Sequence, residues 1–267
     1  LHLSIRRQRQ MCIRDSGFVA IKNHGLSKDL QDRLYNSIKA FFALPDETKI
    51  KYEKPEIGYQ RGYTGKGKEH AKGRNTGDLK EFYHVGQELS FIPDSDSVKN
   101  EYPENLWPAE ISSFKNDAIE AFQTLENAGK AMLRAIAISL DLPEDYFEDK
   151  VAHGNSILRQ IHYFPIENPD EVPADAVRAA EHGDINLITL LMGASADGLQ
   201  VLRKDGKWIP ITALPDQLVV NVGDMLERLT NKKLKSTIHR VVNPPRDMMH
   251  TSRYSIPVSY THLTLPT

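Results

Sequence analysis

The sequence predicts a mainly β fold, a sandwich or barrel, with flanking helices. Short strand signals separated by turns dominate the chain from Ile157 onward. Asp205-Gly206 lies between two apolar runs, which is a strong hairpin signal. No helical segments alternate with these strands, as they would in a doubly wound parallel sheet. A chain of 267 residues is long enough for one such barrel with helices around it.

The first half of the chain carries the helical signals. A short apolar strand is predicted at Phe18 to Ile21. Ser27 is a plausible N-cap, and apolar residues then recur at helical spacing until Pro45. A longer helical pattern, with a period near 3.6 residues, follows Trp107 and continues to Leu140. These helices are expected to be scaffold for the sheet.

Four segments are predicted along the chain. Residues 1–16 show no clean period and are interpreted as a non-native or disordered leader. Residues 17–150 are expected to be a mixed, mainly helical region packed on the barrel, and residues 151–257 the barrel itself. Residues 258–267 are interpreted as a non-native tail. The two middle segments are expected to make one structural domain overall.

Composition narrows the class of protein. Hydrophobic residues at 40% and charged residues at 26% are ordinary for a globular protein. The net charge of −2 provides no global field that would recruit nucleic acid or an anionic membrane. The single cysteine, Cys12, excludes an internal disulfide framework and indicates a reducing, cytoplasmic compartment. No apolar run is long enough to span a bilayer.

A metal site is predicted around His182 and Asp184. The two residues are two positions apart, so on an extended strand both side chains leave the same face. His239, in a second strand-like run, offers a third ligand. Two imidazoles and one carboxylate on one face of an octahedron form the arrangement that non-haem Fe(II) oxygenases use. The His-x-Asp triplet alone is a weak signal, because a polar pair at a strand edge has the same spacing.

A second pair, Arg253 and Ser255, strengthens the metal prediction. Their spacing also places both side chains on one face of a strand. A guanidinium beside a hydroxyl suits a carboxylate, since the guanidinium donates two parallel hydrogen bonds. The sequence therefore predicts an anion site together with the metal site.

With these residues in place, the chain resembles the isopenicillin N synthase-like Fe(II)/2-oxoglutarate-dependent oxygenases. The resemblance covers about residues 17 to 257. Its motifs are His182-Gly183-Asp184, His239-Arg240-Val241, Arg253-Tyr254-Ser255, the stretch from Asn221 to Asn231, and Gly17-Phe18 through Asn23-His24-Gly25.

The resemblance implies a double-stranded β-helix (jelly-roll) core. It implies Fe(II) on His182, Asp184 and His239, with 2-oxoglutarate and O2 as co-substrates. The far carboxylate of 2-oxoglutarate would be held by Arg253 and Ser255. The implied reaction oxidises a small molecule, by hydroxylation, and releases succinate and CO2.

Six further residues are candidates for the site. His162 and Phe164 occupy positions where family members often carry Asn and Tyr, so the resemblance makes them co-substrate residues; Phe164, however, cannot donate through a phenol. Packing beside the metal ligands is an equally good interpretation of His162. The substrate pocket is predicted to involve Arg159, Phe82, Tyr83 and Tyr63, with a plain core role as the alternative for Phe82 and Tyr83.

Three other functions stay open at this point. An iron oxidase of the same family would not use 2-oxoglutarate, and a catalytically silent homologue would only bind a small molecule. The same ligands hold Zn(II) in some hydrolases, although no general base is evident beside them. Oligomeric state and substrate identity are not readable from the sequence.

Overall fold

The computed structural model describes residues 16–69, 76–88, 102–152, 154–173, 175–193, 197–212, 214 and 216–260. The strands in these residues are β1 Phe18–Ile21, β2 Gly62–Thr64, β3 Glu81–Gly86, β4 Ile157–Tyr163, β5 Ala179–His182, β6 Ile188–Met192, β7 Leu199–Leu202, β8 Trp208–Pro210, β9 Leu218–Val222, β10 His239–Val241 and β11 Arg253–Tyr260. The α-helices are α1 Lys28–Phe42, α2 Asp46–Lys49, α3 Phe114–Ser139, α4 Glu148–Ala152 and α5 Asp224–Leu229. Single 3-10 turns lie at Ile50–Tyr52, Pro55–Ile57 and Arg246–Met248.

The strands form two sheets. One has seven strands in the order β1-β9-β6-β11-β4-β3-β2, and the other has four in the order β5-β10-β7-β8. The pairs β1–β9 and β6–β9 are antiparallel, as are all pairs of the four-stranded sheet. The prediction of a mainly β fold, rather than a doubly wound parallel sheet, is confirmed.

The contacts between Cα atoms divide the chain into two compact units. Unit 1 comprises residues 1–22, 64–82 and 161–256, and unit 2 comprises 23–63, 83–160 and 257–267. The sequence predicted consecutive segments instead. The observed units are discontinuous because strand pairing joins stretches that lie far apart along the chain, which local patterns do not report.

Unit 1 is held together by side chains from both sheets. Phe18 of β1 and Val219 of β9 pack with Val201 of β7, and all three are buried. Burying an apolar side chain of this size contributes about 1.5–3 kcal/mol. A second cluster in the same unit consists of Phe82, Ile161, Tyr163, Ala179, Leu199 and Val241.

Unit 2 is built on helices α1 and α3. Ser27 caps α1, since its hydroxyl accepts a hydrogen bond of 3.1 Å from the Leu30 amide. The Phe41 ring lies 4.8 Å from the Tyr83 ring and 5.8 Å from the Phe114 ring, at the centre of an aromatic cluster. Such pairs add about 0.5–1.5 kcal/mol to the burial of their area. Among the residues that the structure describes, no helix combines the length and the apolar character needed to cross a membrane.

Strand β11 continues past the boundary predicted at residue 257. Val258 is fully buried and Tyr260 is 1% exposed, so three residues of the predicted tail belong to a strand. Tyr260 packs on α3 where Gly129 makes room, because a Cβ there would lie 2.5 Å from the tyrosine Cζ. The rest of the predicted tail (261–267) and residues 1–15 of the predicted leader lie outside the described residues.

Candidate metal centre

Three side chains of unit 1 converge as the sequence predicted. Each of His182, Asp184 and His239 offers one ligand atom, and these atoms lie within 4.8 Å of one another. Oδ1 of Asp184 is 3.9 Å from Nε2 of His182 and 3.7 Å from Nε2 of His239. The described residues contain one such group. Its spacing is that of three ligands around one ion.

Strand pairing brings the two histidines together. Strands β5 and β10 are antiparallel, and His239 lies directly opposite His182. Strand β5 ends at His182, so Asp184 does not lie on a regular strand. The Asp184 carboxylate is therefore not oriented by sharing a strand face with His182, as the sequence had predicted.

Backbone carbonyls orient both imidazoles. Nδ1 of His182 lies 2.8 Å from the Ala180 carbonyl, and Nδ1 of His239 lies 3.2 Å from the Thr237 carbonyl. A carbonyl oxygen only accepts, so Nδ1 carries the proton and donates in each ring. Nε2 is then the atom with the free lone pair, and both Nε2 atoms face Asp184.

Two buried donors orient the carboxylate of Asp184. The Thr189 hydroxyl donates to Oδ2 at 2.5 Å, and the Asn221 amide donates to the same oxygen at 2.8 Å. Burial alone would raise the pKa of Asp184, but His239 and these two hydrogen bonds outweigh it, so the pKa lies below its ordinary value. Neither donor was predicted from the sequence. Their signal was a polar residue inside each of two buried apolar strands, β6 and β9.

The protonation states suit a metal ion. Desolvation lowers the pKa of His182 below its ordinary value, and the neighbouring His239 lowers it further. The lowered pKa values favour a neutral imidazole at His182 and an ionised carboxylate at Asp184, which are the forms that bind a metal. This donor set fits Fe(II), and three ligands on one side leave coordination positions open on the other.

A buried ion pair supports the strand that carries His182. Oδ1 of Asp78 accepts a hydrogen bond of 3.1 Å from the Ala180 amide, while its Oδ2 lies 2.8 Å from Nζ of Lys80. The same ammonium lies 2.7 Å from Glu69. Asp78 and Lys80 are both less than 10% exposed. These contacts hold β5 in place next to the metal centre.

The two residues predicted to bind an anion, Arg253 and Ser255, lie on β11. Arg253 is 1% exposed and Ser255 is 4% exposed, and their spacing on the strand places them on one face. The guanidinium Cζ lies 4.9 Å from the centre of the Tyr163 ring, and Nε donates to the Asp197 carbonyl at 3.1 Å. One edge of the guanidinium is thus anchored to the protein backbone.

His162 lies in a buried hydrogen-bonded network. Its Nδ1 is 2.7 Å from Oε1 of Glu81, and its Nε2 is 3.0 Å from the Ser252 hydroxyl. The imidazole stacks on the Tyr254 ring at 4.7 Å between ring centres. Both ring nitrogens therefore have protein partners, which is the packing role that the sequence left open as an alternative. A co-substrate would have to replace the Ser252 contact to reach Nε2.

Two phenylalanines of unit 1 occupy different surroundings. Phe164 is half-buried, follows the end of β4, and has the Lys66 ammonium 5.1 Å from its ring centre. Phe82 is 4% exposed and belongs to the second apolar cluster of the unit. A core role thus describes Phe82 in this structure.

The remaining pocket candidates lie in unit 2. Tyr63 and Tyr83 pack around Phe41, and the Tyr83 hydroxyl donates to the Leu106 carbonyl at 2.8 Å. Arg159 is half-buried on β4. Tyr83 therefore has the core role that was the alternative at the outset, and the pocket role of all three residues stays a prediction.

Unit 1 also contains an apolar cavity of about 1170 Å³. Phe18, Val201, Ile211 and Val219 are among its lining residues. The Phe18 ring meets the His239 ring nearly edge-on at 5.6 Å between centres. The lining includes none of the three residues of the metal centre, so no substrate is assigned to this cavity.

Comparison with known proteins identifies the class that this fold and site define. Residues 154–262 match the family model of the 2OG-Fe(II) oxygenase superfamily. Residues 7–110 match the model described as the N-terminal region of non-haem dioxygenase in morphine synthesis. The matches lie in both halves of the chain.

Curated relatives and solved structures agree with these matches. The chain is 31% identical to the 2-oxoglutarate-Fe(II) type oxidoreductase hxnY of Emericella nidulans, over 95% of this chain and 72% of the relative. It is 34% identical to ppzD of Metarhizium rileyi, another 2-oxoglutarate-Fe(II) type oxidoreductase, over 92% and 71%. A 2OG-Fe(II) oxygenase family structure from Caulobacter crescentus has a TM-score of 0.84 and 43% identity, over 97% of this chain and 82% of that one. A full-length Neurospora crassa protein, solved in complex with alpha-KG, has a TM-score of 0.82 and 31% identity, over 98% and 81%.

The chain belongs to the 2OG-Fe(II) oxygenase superfamily. It is a non-haem iron dioxygenase with a jelly-roll core, and it depends on Fe(II) and 2-oxoglutarate. The predictions of family, fold, enzyme class and cofactors are confirmed. The alternatives of a zinc hydrolase and of an oxidase without 2-oxoglutarate receive no support from these relatives.

Proposed function

We propose that His182, Asp184 and His239 bind the Fe(II) ion, and that Arg253 and Ser255 bind the far carboxylate of 2-oxoglutarate. The observation that carries the proposal is the convergence of the three ligand atoms within 4.8 Å. It is supported by the protonated Nδ1 of each histidine, which leaves Nε2 available for a metal.

The residues of this chain supply orientation and charge. Bound Fe(II) supplies the oxidation chemistry, in which 2-oxoglutarate is decarboxylated to succinate and CO2 while the substrate is oxidised. Thr189 and Asn221 hold the Asp184 carboxylate so that Oδ1 faces both histidines. Arg253, buried on β11, neutralises a carboxylate with hydrogen bonds worth about 1.5–3 kcal/mol each.

A small-molecule substrate that undergoes hydroxylation is part of the proposal. Structures of the same Neurospora crassa protein contain thymine or 5-formyluracil together with alpha-KG, so a protein of similar fold binds small molecules. No observation favours nucleic acid or a membrane as partner. The cytoplasmic location indicated by the cysteine content stays a prediction.

Succinate release tests the assignment of the metal ligands. Purified protein is incubated with Fe(II), 2-oxoglutarate and O2, with and without a panel of small-molecule substrates. His182→Ala and Asp184→Ala are expected to abolish succinate formation. His250→Ala is the matched control, because His250 is exposed and lies outside the metal centre. Succinate formation at the wild-type rate by His182→Ala or Asp184→Ala would contradict the proposal.

A further inference from the structure

Arg178 is a buried cation with no counter-charge among the residues that the structure describes. It precedes β5 directly and is 2% exposed. Its Nη2 donates to the neutral Thr251 carbonyl at 2.7 Å, and its Nε is buried without a hydrogen-bond partner. Among the described residues no carboxylate lies within ion-pair distance of its guanidinium. Arg178 belongs to none of the motifs named above, and the proposed function assigns it no role.

A second buried guanidinium, that of Arg253, follows the backbone segment that Arg178 contacts. The carbonyl that Arg178 contacts belongs to Thr251, two residues before Arg253 at the start of β11. Burial lowers the pKa of Arg178, and the charge of Arg253 lowers it further, while Tyr163 acts in the opposite direction. The Tyr163 ring also lies under the Arg253 guanidinium. Arg178 is thus tied to the segment that leads into Arg253, and Arg253 to the Tyr163 ring, all within unit 1.

Two buried cations in this part of unit 1 have an energetic consequence. Taking a charged group out of water carries a large desolvation penalty, which an opposite charge in good geometry offsets. The described residues provide no such charge for Arg178, and an anionic ligand would supply one. A carboxylate has two oxygens and about four lone-pair positions, enough to accept from two guanidinium groups at once.

We propose that Arg178 is a second guanidinium of the co-substrate site and that it binds the far carboxylate of 2-oxoglutarate together with Arg253. The inference rests on the proposed function, which places that carboxylate at Arg253. Arg178 then helps to select 2-oxo acids that carry a second carboxylate over those that end in a methyl group. The alternative is a clamp whose only task is to hold the Thr251 carbonyl.

The test compares two ligands that differ in one group. 2-Oxoglutarate and 2-oxopentanoate share the 2-oxo acid end, and only the first carries a far carboxylate. Their dissociation constants are measured by calorimetry on Fe(II)-loaded protein without O2, so that no turnover occurs. Arg178→Met is expected to weaken 2-oxoglutarate binding at least about tenfold and to leave 2-oxopentanoate binding within about twofold. Arg246→Met is the control, since Arg246 is an exposed partner of Asp170, and both affinities should be unchanged.

Protein stability separates the two roles of Arg178. Removing a buried cation that lacks a counter-charge should leave the thermal midpoint of the ligand-free protein unchanged or raise it. A clamp would instead lower the midpoint and weaken both ligands equally. Arg178→Gln is the second variant, because glutamine can still donate to the Thr251 carbonyl but carries no charge. It is expected to lose the preference for 2-oxoglutarate as Arg178→Met does.

The outcomes distinguish this inference from the proposed function. A wild-type protein that binds the two ligands equally would overturn the far-carboxylate site itself, and this inference with it. A wild-type preference for 2-oxoglutarate that persists in full in Arg178→Met or Arg178→Gln would overturn the role of Arg178 alone. Binding of a substrate carboxylate by Arg178 would give that second result.

Discussion

The side-chain amide of Asn221 donates a hydrogen bond of 2.8 Å to Oδ2 of Asp184. The Thr189 hydroxyl donates to the same oxygen. With Oδ2 occupied, Oδ1 is the oxygen that faces Nε2 of both histidines in the metal centre. Strands β6 and β9, which carry Thr189 and Asn221 in register with each other, thus set the direction of a ligand that lies on neither strand.

Asn221→Ala should weaken metal binding about 10- to 100-fold, the usual effect of removing a group that orients a ligand. The Asp184 carboxylate keeps its charge but loses one of two donors and gains freedom to rotate. Anaerobic Fe(II) titration measures the effect. Asn243→Ala is the matched control, because it removes a half-buried amide that donates to the Ala176 carbonyl and lies outside the metal centre. Equal metal affinity in the two variants would argue against the orienting role.

Metal binding should depend on pH through His182. A proton competes with the metal for Nε2, and the lowered pKa of His182 moves this competition to the acid side of the ordinary value of 6.5. Asp184, whose pKa is also lowered, stays ionised through this range. Fe(II) affinity is therefore expected to be nearly constant from about pH 8 to about pH 6.5 and to fall below that. Titrations across this range measure it, and a loss that begins above about pH 7 would contradict the direction of the shift.

The lowered pKa of His182 also makes the stability of the folded protein depend on pH. The folded protein binds a proton at His182 less readily than the unfolded chain does. Below the unfolded pKa of about 6.5, proton uptake on unfolding therefore favours the unfolded state. The contribution of His182 to ligand-free stability should be unfavourable below that pH and should vanish above it. Urea unfolding of the wild type and of His182→Gln, compared at both ends of the range, isolates this contribution.

Asp78→Ala should destabilise the ligand-free protein by about 1–3 kcal/mol, because it removes one of the two carboxylates that pair with the buried Lys80 ammonium. It also removes the acceptor for the Ala180 amide on β5. Urea unfolding measures the loss. Asp216→Ala breaks the exposed pair with Lys22 and should cost no more than about 1 kcal/mol. Equal losses at Asp78 and Asp216 would contradict the importance of burial.

His162→Phe tests the network beside Arg253. A phenyl ring keeps the stack on Tyr254 but loses the hydrogen bonds to Glu81 and Ser252. The buried Glu81 carboxylate then lacks this donor, which should cost about 1–3 kcal/mol of unfolding free energy. A packing role predicts a stability loss that exceeds the loss of 2-oxoglutarate binding energy. If calorimetry shows a larger loss of 2-oxoglutarate binding energy than urea unfolding shows of stability, the direct co-substrate role implied by the family resemblance is favoured.

Much of the site was readable from local spacing. The triplet around His182 and the Arg253/Ser255 pair each place two functional side chains within three residues. Such short patterns can be recognised without knowing how the rest of the chain folds. The mainly β fold was readable for the same reason, because strand alternation and turn residues are local properties. Segment boundaries were less accurate: the barrel was expected to end at residue 257, whereas β11 runs to Tyr260.

The residues that form hydrogen bonds with the site residues could not be predicted from local spacing. Thr189 and Asn221 are single polar residues in apolar strands, and Arg178 lies in a stretch with no motif at all. Their roles arise only when strands from distant parts of the chain come side by side.

The amino-acid order alone therefore determined which residues can bind iron and a carboxylate, since ligand chemistry belongs to the side chain itself. The tertiary structure decided which oxygen of Asp184 faces the two histidines, which histidine nitrogen keeps its proton, and which carbonyl Arg178 contacts. The physical reason is that hydrogen bonds and charge interactions act over a few ångströms. Only the folded arrangement of the sheets brings these groups within that range.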